Sequence, residues 1–396
     1  MNLRDDARAL ADDLVRLRRS LHRIPETGLE LPRTQEAVLT ELDGLPLDVT
    51  TGEGLSSVTA VLRGGRPGPA VLLRGDMDAL PVDERTGLDF AADNGRMHAC
   101  GHDLHTTMLT GAAKLLCAHR ERLAGDVVFM FQPGEEGYDG ARHMLAEGLL
   151  DAAGQRPTAA YAIHVLSAGL PSGVFRTRGG PAMAASNTLR VTVRGEGGHG
   201  SMPYRAKDPV QAACAMVTAL QAWITRTFDV FDPVILSVGT FHAGTKQNVI
   251  PETAVFEATV RSFSDAAQAR VKDGTVEVCR GIAAAYGVAV DADFVEVYPI
   301  TVNDVAEADF VADTVRAALG EERWAPMPNP LQGSEDFSRV LAEVPGAMLF
   351  LGAPPAGADH ERTPNNHSPL AEFDDAVLAD GAALYAELAA RRLDAA

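Results

Sequence analysis

The sequence has few cysteines and no long apolar run. Its four cysteines, Cys100, Cys117, Cys214 and Cys279, are widely spaced, unlike the dense framework of a small secreted domain, so we expect free thiols. No stretch provides the roughly 20 consecutive apolar residues that a membrane-spanning helix requires. The N-terminal segment is charged and lacks the apolar core of a signal peptide. These absences predict a cytoplasmic protein.

Basic residues are scarce as well. The chain has 35 lysines and arginines against 54 aspartates and glutamates, which gives a formal net charge of -19. This charge disfavours binding to nucleic-acid phosphates and to anionic membrane surfaces. A hydrophobic fraction of 46% with 22% charged residues is typical of a folded protein. Because 396 residues exceed the roughly 100–200 of an ordinary domain, we expect two domains.

Helical and strand patterns alternate over much of the chain. Residues 5–21 repeat apolar positions at helical spacing, which predicts an opening helix. Apolar runs at 58–62, 70–74, 126–131 and 159–164 predict strands. This alternation favours an α/β fold with a mostly parallel sheet flanked by helices. Such sheets place ligands at the carboxyl ends of their strands, and polar clusters follow several of these runs.

The middle third of the chain has a different pattern. From Asn187 onward it predicts a strand, a helix, two strands, a helix and a strand, at 188–194, 208–226, 234–242, 253–263, 266–286 and 288–297. This β-α-β-β-α-β order is the ferredoxin-like unit. The α/β pattern resumes near Val302. We therefore predict a discontinuous main domain, 1–181 and 300–396, with an inserted α+β domain at 182–299.

The densest group of reactive side chains lies at 98–105, where one thiol, three imidazoles and a carboxylate occur within eight residues. Thiolate and imidazole are the usual ligands of zinc and neighbouring transition metals. A structural zinc site and a chance run of loop polarity are alternatives. A structural site normally recruits a second Cys or His pair, and the sequence offers none.

Two further acidic motifs follow apolar runs. Asp76 and Asp78 come directly after the run at 70–74 and could also lie in a solvated turn. Glu135 and Glu136 follow a very apolar strand and are flanked by glycines. Adjacent residues of an extended chain point to opposite sides, so one carboxylate could bind a metal while its neighbour handles a water proton. The alternative is a charged loop.

The remaining candidates are weak individually. His164 ends a predicted strand, and His367 lies in a loop rich in Pro and Asn. A lone histidine in either place is more often structural or exposed. The segment 333–337 could be a helix N-terminus whose acidic residues complement the macrodipole. Their joint occurrence in one α/β framework favours a metal site.

Together these motifs resemble the aminoacylase-type metallopeptidases, in the branch of bacterial hippurate hydrolases, N-acyl-amino-acid amidohydrolases and plant indole-acetyl-amino-acid hydrolases. The resemblance extends from about His22 to His367. It rests on seven motifs in the family's order: GDMDALP at 75–81, HACGHDLH at 98–105, PGEEG at 133–137, GHGS at 198–201, NVIP at 248–251, GSEDF at 333–337 and NHS at 366–368.

The resemblance implies a two-metal hydrolase on a zinc-peptidase-like fold. Its metal ligands would be Cys100, His102, Glu136, His164 and His367. Glu135 would be the general base, and Asp78 would orient a ligand. Related branches have histidine where this chain has Asp76, so ligation by Asp76 and the identity of the bridging ligand stay open. The other histidines match no ligand position.

The resemblance also implies cofactors, a substrate and a partner. Two divalent ions are expected, zinc first, with manganese, cobalt or nickel as alternatives. The substrate would be an N-acyl amino acid whose carboxylate meets Asn248, Arg261 or the amide of Gly333. His199 would stabilise the oxyanion. The inserted domain would serve as a lid and as the interface of a homodimer.

Three other functions stay open from the sequence. The chain could be a dipeptidase or carboxypeptidase of the same superfamily. It could be an acyltransferase in which Cys100, the one cysteine in a polar cluster of histidines, acts as the nucleophile. It could also be a non-catalytic binding protein on the same scaffold, although pure binding has no need of the Glu135 proton shuttle.

Overall fold

A computed structural model describes residues 1–395. The chain forms two compact units. The first comprises Met1–Ala182, Val302–Asn329 and the chain from Asp336 onward, and the second comprises Met183–Thr301 with Pro330–Glu335. Within the described chain, no helix is both long enough and apolar enough to cross a membrane.

The first unit contains a seven-stranded sheet. Its strands are β1 (Leu47–Thr51), β2 (Val58–Leu62), β3 (Arg66–Asp76), β4 (Ala124–Gln132), β5 (Pro157–Leu166), β6 (Phe175–Arg176) and β15 (Gly346–Gly352). Their order is β1-β2-β4-β3-β5-β15-β6. The four central strands β4, β3, β5 and β15 are parallel, and the outer strands are antiparallel to their neighbours. The central strands are almost entirely buried because helices cover both faces.

Eight α-helices belong to the first unit as described. They are α1 (Leu3–Ala9), α2 (Ala11–His22), α3 (Pro32–Leu42), α4 (His102–Ala118), α5 (Gly140–Ala146), α8 (Val305–Leu319), α9 (Ser338–Leu341) and α10 (Leu378–Asp394). The predicted opening helix is divided at Leu10, whose φ of -90° and ψ of -2° interrupt the helical repeat. On α10, the Tyr385 hydroxyl donates to the Arg74 carbonyl and accepts from Ile163 N–H, which ties β3 to β5 just before their polar ends.

The second unit is the ferredoxin-like module that the sequence predicts. Its elements are β8 (Ala185–Arg194), α6 (Pro209–Thr227), β10 (Ile235–Ala243), β12 (Thr253–Ser262), α7 (Asp265–Tyr286) and β13 (Ala289–Tyr298). The four strands form an antiparallel sheet in the order β10-β12-β8-β13. Side chains of Asp208 and Ser264 cap the two helices. The buried residues of β8 and β12 alternate along each strand, as expected for a sheet covered on one face.

Shorter elements complete the chain. The remaining strands are β7 (Gly180–Met183), β9 (Gly198–His199), β11 (Val249–Ile250) and β14 (Thr301–Asn303). Single 3-10 turns occur at Arg120–Arg122, Leu149–Asp151, Pro203–Arg205, Glu321–Arg323 and Asp375–Val377. The α/β class with an inserted α+β module, predicted from the sequence, is thus confirmed.

Candidate metal centre

Three of the predicted ligands meet at the carboxyl end of β5. Cys100, His102 and His164 each offer a ligand atom within 4.8 Å of the others. The Cys100 sulfur lies 3.5 Å from His164 Nε2. His102 is the first residue of α4, and Cys100 lies two residues before it. The fold therefore brings a thiol and two imidazoles to the edge of the sheet where an α/β protein binds its ligands.

The other two predicted ligands complete a second group around the same sulfur. Cys100, Glu136 and His367 have ligand atoms within 4.8 Å of one another. His367 Nε2 lies 3.2 Å from the Cys100 sulfur and 3.2 Å from Glu136 Oε1. Cys100 belongs to both groups, so the five side chains form one continuous set of donors.

The polar atoms of this set fit a cation. His102 Nδ1 lies 3.5 Å from Asp78, and Nε2 lies 3.3 Å from Asp76. Neither nitrogen makes an aligned hydrogen bond with the described residues, and neither does Glu136 Oε1, although all three atoms are buried. Because buried polar atoms are nearly always bonded, this convergence suits a metal ion that accepts a lone pair from Glu136 and from one nitrogen of His102, while the other nitrogen faces Asp78.

The hydrogen bonds around His164 leave one nitrogen for a metal. Its Nδ1 lies 2.8 Å from the Val165 carbonyl, which can only accept a hydrogen bond, so this nitrogen carries the proton. Nε2, the nitrogen beside Cys100, is then the unprotonated one. A backbone carbonyl that fixes the tautomer in this way is the usual outer partner of a metal-binding histidine.

Charge stabilises the thiolate. Burial alone would raise the pKa of Cys100, but the neighbouring His164 and His102 outweigh it and lower that pKa well below its usual value. Hydrogen bonds to Cys100 and Glu136 raise the pKa of His367 to about 10. The imidazoles around Cys100 therefore favour its thiolate, which is the form that binds metal.

Asp78 supports the site from behind. Its carboxylate accepts hydrogen bonds from Glu135 N–H at 2.9 Å and Glu136 N–H at 3.1 Å. One of its oxygens also faces His102 Nδ1. A single buried carboxylate therefore links the acidic motif to the predicted ligand His102.

The acidic pair adopts a turn and not the extended chain assumed from the sequence. Gly134 and Gly137 have φ values of 74° and 87°, in the left-handed region that favours glycine. As a result, Glu135 and Glu136 do not point to opposite sides. Each offers a carboxylate oxygen within 4.8 Å of a ligand atom of His102.

Sequence reasoning assigned no role to Asn366. Its Nδ2 donates to the carbonyls of Cys100 and Val165, at 3.1 and 3.0 Å, and its Oδ1 accepts from Ser167 N–H at 2.9 Å. It therefore fastens the loop of His367 to the segments that bear two other ligands. The available signal in the sequence was the position of Asn366 beside the candidate ligand His367. Its hydrogen-bond partners are distant in sequence, so no local pattern indicated them.

Asp76 belongs to a neighbouring network. His105 Nε2 accepts from Val165 N–H at 2.8 Å, so its Nδ1 carries the proton and donates to Asp76 at 2.6 Å. Arg74 donates to the other Asp76 oxygen at 2.9 Å and to Asp336 at 3.1 Å. Asp76, His102 and His105 are close enough for a metal, but both nitrogens of His105 are already used. These contacts favour a supporting role for Asp76.

The predicted substrate residues lie in the second unit. On β9, exposed His199 pairs with Val249 of β11, and the carbonyl of Asn248 accepts from Gly200 N–H. His199 Nδ1 accepts from Ser201 N–H at 3.2 Å and lies 2.8 Å from the Ser201 hydroxyl. The structure thus brings His199 and Asn248 close together.

Arg261 and Gly333 both lie beside the start of β8. Arg261 donates to the Ser186 hydroxyl at 2.6 Å, and the Gly333 carbonyl accepts from Ala184 N–H. Burial lowers the pKa of Arg261. Burial is the one cause of this shift, and none of the acidic side chains in residues 1–395 contributes to it.

The chain is similar to known proteins over nearly its whole length. The model of Peptidase family M20/M25/M40 matches residues 72–391. Thermostable carboxypeptidase 1 of Saccharolobus solfataricus is 37% identical over 98% of both chains. Hippurate hydrolase of Campylobacter jejuni is 32% identical over 99% of this chain and 100% of its own.

A solved structure is similar over nearly the whole length. The Bacillus subtilis YXEP protein, described as a dinuclear metal binding peptidase from the M20 family, superposes with a TM-score of 0.84. It is 30% identical, and the match covers 98% of this chain and 99% of that one. The resemblance predicted from the sequence motifs is confirmed. The chain belongs to Peptidase family M20/M25/M40 and is a metal-dependent peptidase or amidohydrolase.

Proposed function

We propose that this enzyme hydrolyses the amide bond of N-acyl amino acids, such as N-acetyl, N-benzoyl or related conjugates. The observation behind this proposal is the position of Glu135. Its carboxylate is only 7% exposed and lies within 4.8 Å of donor atoms of His102 and Glu136. A binding protein needs the ligands but gains nothing from a second acid beside them, whereas amide hydrolysis needs a proton carrier there.

The chain's own groups supply the acid–base chemistry. Two divalent ions bound by Cys100, His102, Glu136, His164 and His367 would acidify a water molecule and polarise the amide carbonyl. Glu135 accepts a proton from the attacking water and delivers it to the leaving nitrogen, a role worth about 10²–10⁴-fold in rate. Asp78 holds the backbone of Glu135 in place by accepting a hydrogen bond from its N–H.

The second unit supplies the substrate contacts in this proposal. Because Ser201 N–H donates to His199 Nδ1, the neutral ring carries its proton on Nε2 and can donate to the developing oxyanion. Arg261, which has no acidic partner among residues 1–395, suits the carboxylate of the amino acid. Asn248 and the amide of Gly333 would complete that contact.

We further propose that residues 182–299 act as a lid and dimerisation domain. β10 is an edge strand with exposed Ile235 and Phe241, whereas the opposite edge, β13, exposes Asp291 and Asp293. Charged side chains protect an edge from pairing, so β10 is the edge suited to a two-fold contact. Phe241→Lys should yield monomers in analytical ultracentrifugation, whereas Asp293→Lys should leave the dimer intact.

The donor types support zinc as the metal in this proposal. A thiolate shared by both groups favours zinc, cobalt or nickel over manganese, which prefers oxygen. Zinc is the first expectation. Metal analysis of protein purified without chelator tests it, and a manganese-only protein would contradict it.

A carboxypeptidase or dipeptidase activity is the second candidate, because one relative at 37% identity bears the carboxypeptidase name. The deciding experiment measures amine release from N-acetyl, N-benzoyl and indole-acetyl amino acids and from dipeptides, before and after chelation and metal add-back. We expect N-acyl amino acids to be cleaved fastest, with activity lost on chelation and restored by metal. Faster cleavage of dipeptides would favour the second candidate.

Loss of activity on chelation would show that hydrolysis depends on a bound metal. Activity that resists chelator but disappears on thiol alkylation would instead make Cys100 a nucleophile. A thiolate that binds a metal is protected from alkylation and is not consumed by it. Loss of activity on chelation and chelator-resistant loss on alkylation therefore exclude each other.

A further inference from the structure

A buried polar cluster lies beside the candidate metal centre but contains none of its ligands. We call it the Arg18 cluster; its members are Arg18, His22, Glu84, Phe90, Asp103 and Asp375. Arg18 and Asp103 are both 0% exposed, and Arg18 Nε lies 2.9 Å from Asp103 Oδ2. The nitrogen is not aligned for a hydrogen bond, so the contact is an ion pair. Arg18 Nη1 also donates to Asp375 at 3.1 Å.

His22, one turn later on α2, extends the cluster. Its Nδ1 lies 2.7 Å from Asp103 Oδ2, and its Nε2 lies 3.1 Å from Glu84 Oε1. Phe90 packs its ring edge against His22, at 5.3 Å between centroids, and lies under the Arg18 guanidinium at 4.9 Å. Two side chains of α2 thus contact every other member.

The partners of α2 come from the segments that bear metal ligands. Asp103 directly follows His102. Glu84 and Phe90 belong to the irregular segment between Asp78 and Cys100, which the backbone pair Leu80–Met97 closes into a loop. Asp375 begins the turn before α10, eight residues after His367. The helix α2 carries no predicted metal ligand, but it is bonded to three segments that carry or adjoin such ligands.

A buried ion pair is an expensive way to stabilise a fold. Removing both charges from water is costly, and well-packed apolar residues often stabilise a fold equally well. The pair of Arg18 and Asp103 is nonetheless fully buried. Its value to the protein therefore lies in directional contacts.

We propose that Arg18 and His22 are positioning residues: by fixing Asp103 and the 80–97 loop, they place Cys100 and His102 for metal binding and so set the metal affinity. This inference rests on the proposed metal centre and goes beyond it, since neither residue touches a ligand atom. Outer partners of this kind typically change metal affinity by about 10–100-fold.

Arg19 provides a matched control on the same helix. It donates to Asp375 at 2.9 Å and stacks on Phe90 at 4.8 Å, as Arg18 does, but has no contact with Asp103. A lysine at either position keeps the positive charge but lacks the planar guanidinium group and its fixed set of N–H donors. Arg18→Lys and Arg19→Lys therefore alter the contacts with the same two partners, Asp375 and Phe90. They differ in the contact with Asp103 and in burial, since Arg18 is 0% and Arg19 is 42% exposed, so the melting temperature of each variant is measured as well.

The test measures Co²⁺ dissociation constants by chelator competition, the visible spectrum of the Co²⁺-loaded protein, and the melting temperature of the metal-free protein. We expect Arg18→Lys to raise the dissociation constant by about 10–100-fold, to shift the Co²⁺ bands, and to lower kcat more than it changes KM. Arg19→Lys should keep the dissociation constant within about two-fold. His22→Leu introduces a side chain of similar volume that makes no hydrogen bonds, and it should behave like Arg18→Lys. If Arg18→Lys does not fold, His22→Leu decides the test.

The outcomes separate two failures. If the wild-type chain binds no Co²⁺, the proposed metal centre is wrong. A second result is that Arg18→Lys and His22→Leu bind Co²⁺ as well as the wild type does and differ from it only in a lower melting temperature. The cluster then only stabilises the fold, and the positioning role is overturned.

Discussion

Replacing Asn366 by alanine should weaken metal binding although Asn366 is not a ligand. The substitution removes four hydrogen bonds, two to the carbonyls of Cys100 and Val165 and two from the N–H and hydroxyl of Ser167. At roughly 1 kcal/mol each, their net contribution is about 4 kcal/mol. One tenfold change in affinity corresponds to about 1.4 kcal/mol, so the upper limit is about 10³-fold.

The measured effect should fall below that limit. Asn366 is half-buried, and water can replace part of what the side chain provides. We expect the Co²⁺ dissociation constant to rise by about 10–100-fold, measured by chelator competition. The loop should open at His367 first, because that residue depends on a single further backbone bond, from its N–H to the Ala99 carbonyl.

Asn365 is the matched control. It is exposed, and its backbone carbonyl accepts from Ser368 N–H, a bond that alanine preserves. Asn365→Ala should keep the dissociation constant within about two-fold. If Asn366→Ala also stays within two-fold of the wild type, the bonds of Asn366 do not prepare the site, and the reasoning from backbone fastening is refuted.

Three further substitutions test the roles of individual side chains. Glu135→Gln should retain metal but lower kcat by about 10²–10⁴-fold in an amine-release assay, since it removes the proton carrier; unchanged turnover would assign the base elsewhere. Cys100→Ser should raise the metal dissociation constant, and full activity at limiting metal would contradict thiolate ligation. His199→Ala should lower kcat without loss of metal. Mixing it with Glu135→Gln chains shows where His199 acts: recovery in verified heterodimers assigns it to the partner's site, and no recovery confines it to its own subunit or outside catalysis.

The inserted module was predictable because its signal is local. Along β8, Leu189, Val191 and Val193 are buried while the residues between them are not, and this alternation is visible in the sequence. The helix caps at Asp208 and Ser264 likewise act within three residues. Where a helix or strand has a pattern carried by neighbouring residues, the sequence therefore predicts its ends to within a few positions.

The support of the site was not predictable in this way. Arg18 and Asp103 are 85 positions apart, and Asn366 lies 266 positions from Cys100. No local period or cap distinguishes such residues from ordinary surface arginines and asparagines. The turn at Glu135 and Glu136 was missed for a different reason: the flanking glycines were visible, but the left-handed φ values that rotate both carboxylates to one side depend on the folded loop.

Backbone hydrogen bonds hold the segments that carry the donors. Among residues 1–395, positive φ outside glycine occurs at Asp139 and His367, and such backbone costs on the order of 1 kcal/mol or more. His367 keeps this conformation because its N–H bonds to Ala99 and its neighbour Asn366 is fastened on two sides. The two N–H groups of the acidic turn are likewise bonded to Asp78. Backbone bonds thus fix the segments around the centre, where His102 and Glu136 keep unbonded atoms, and the fold sustains the strain at His367.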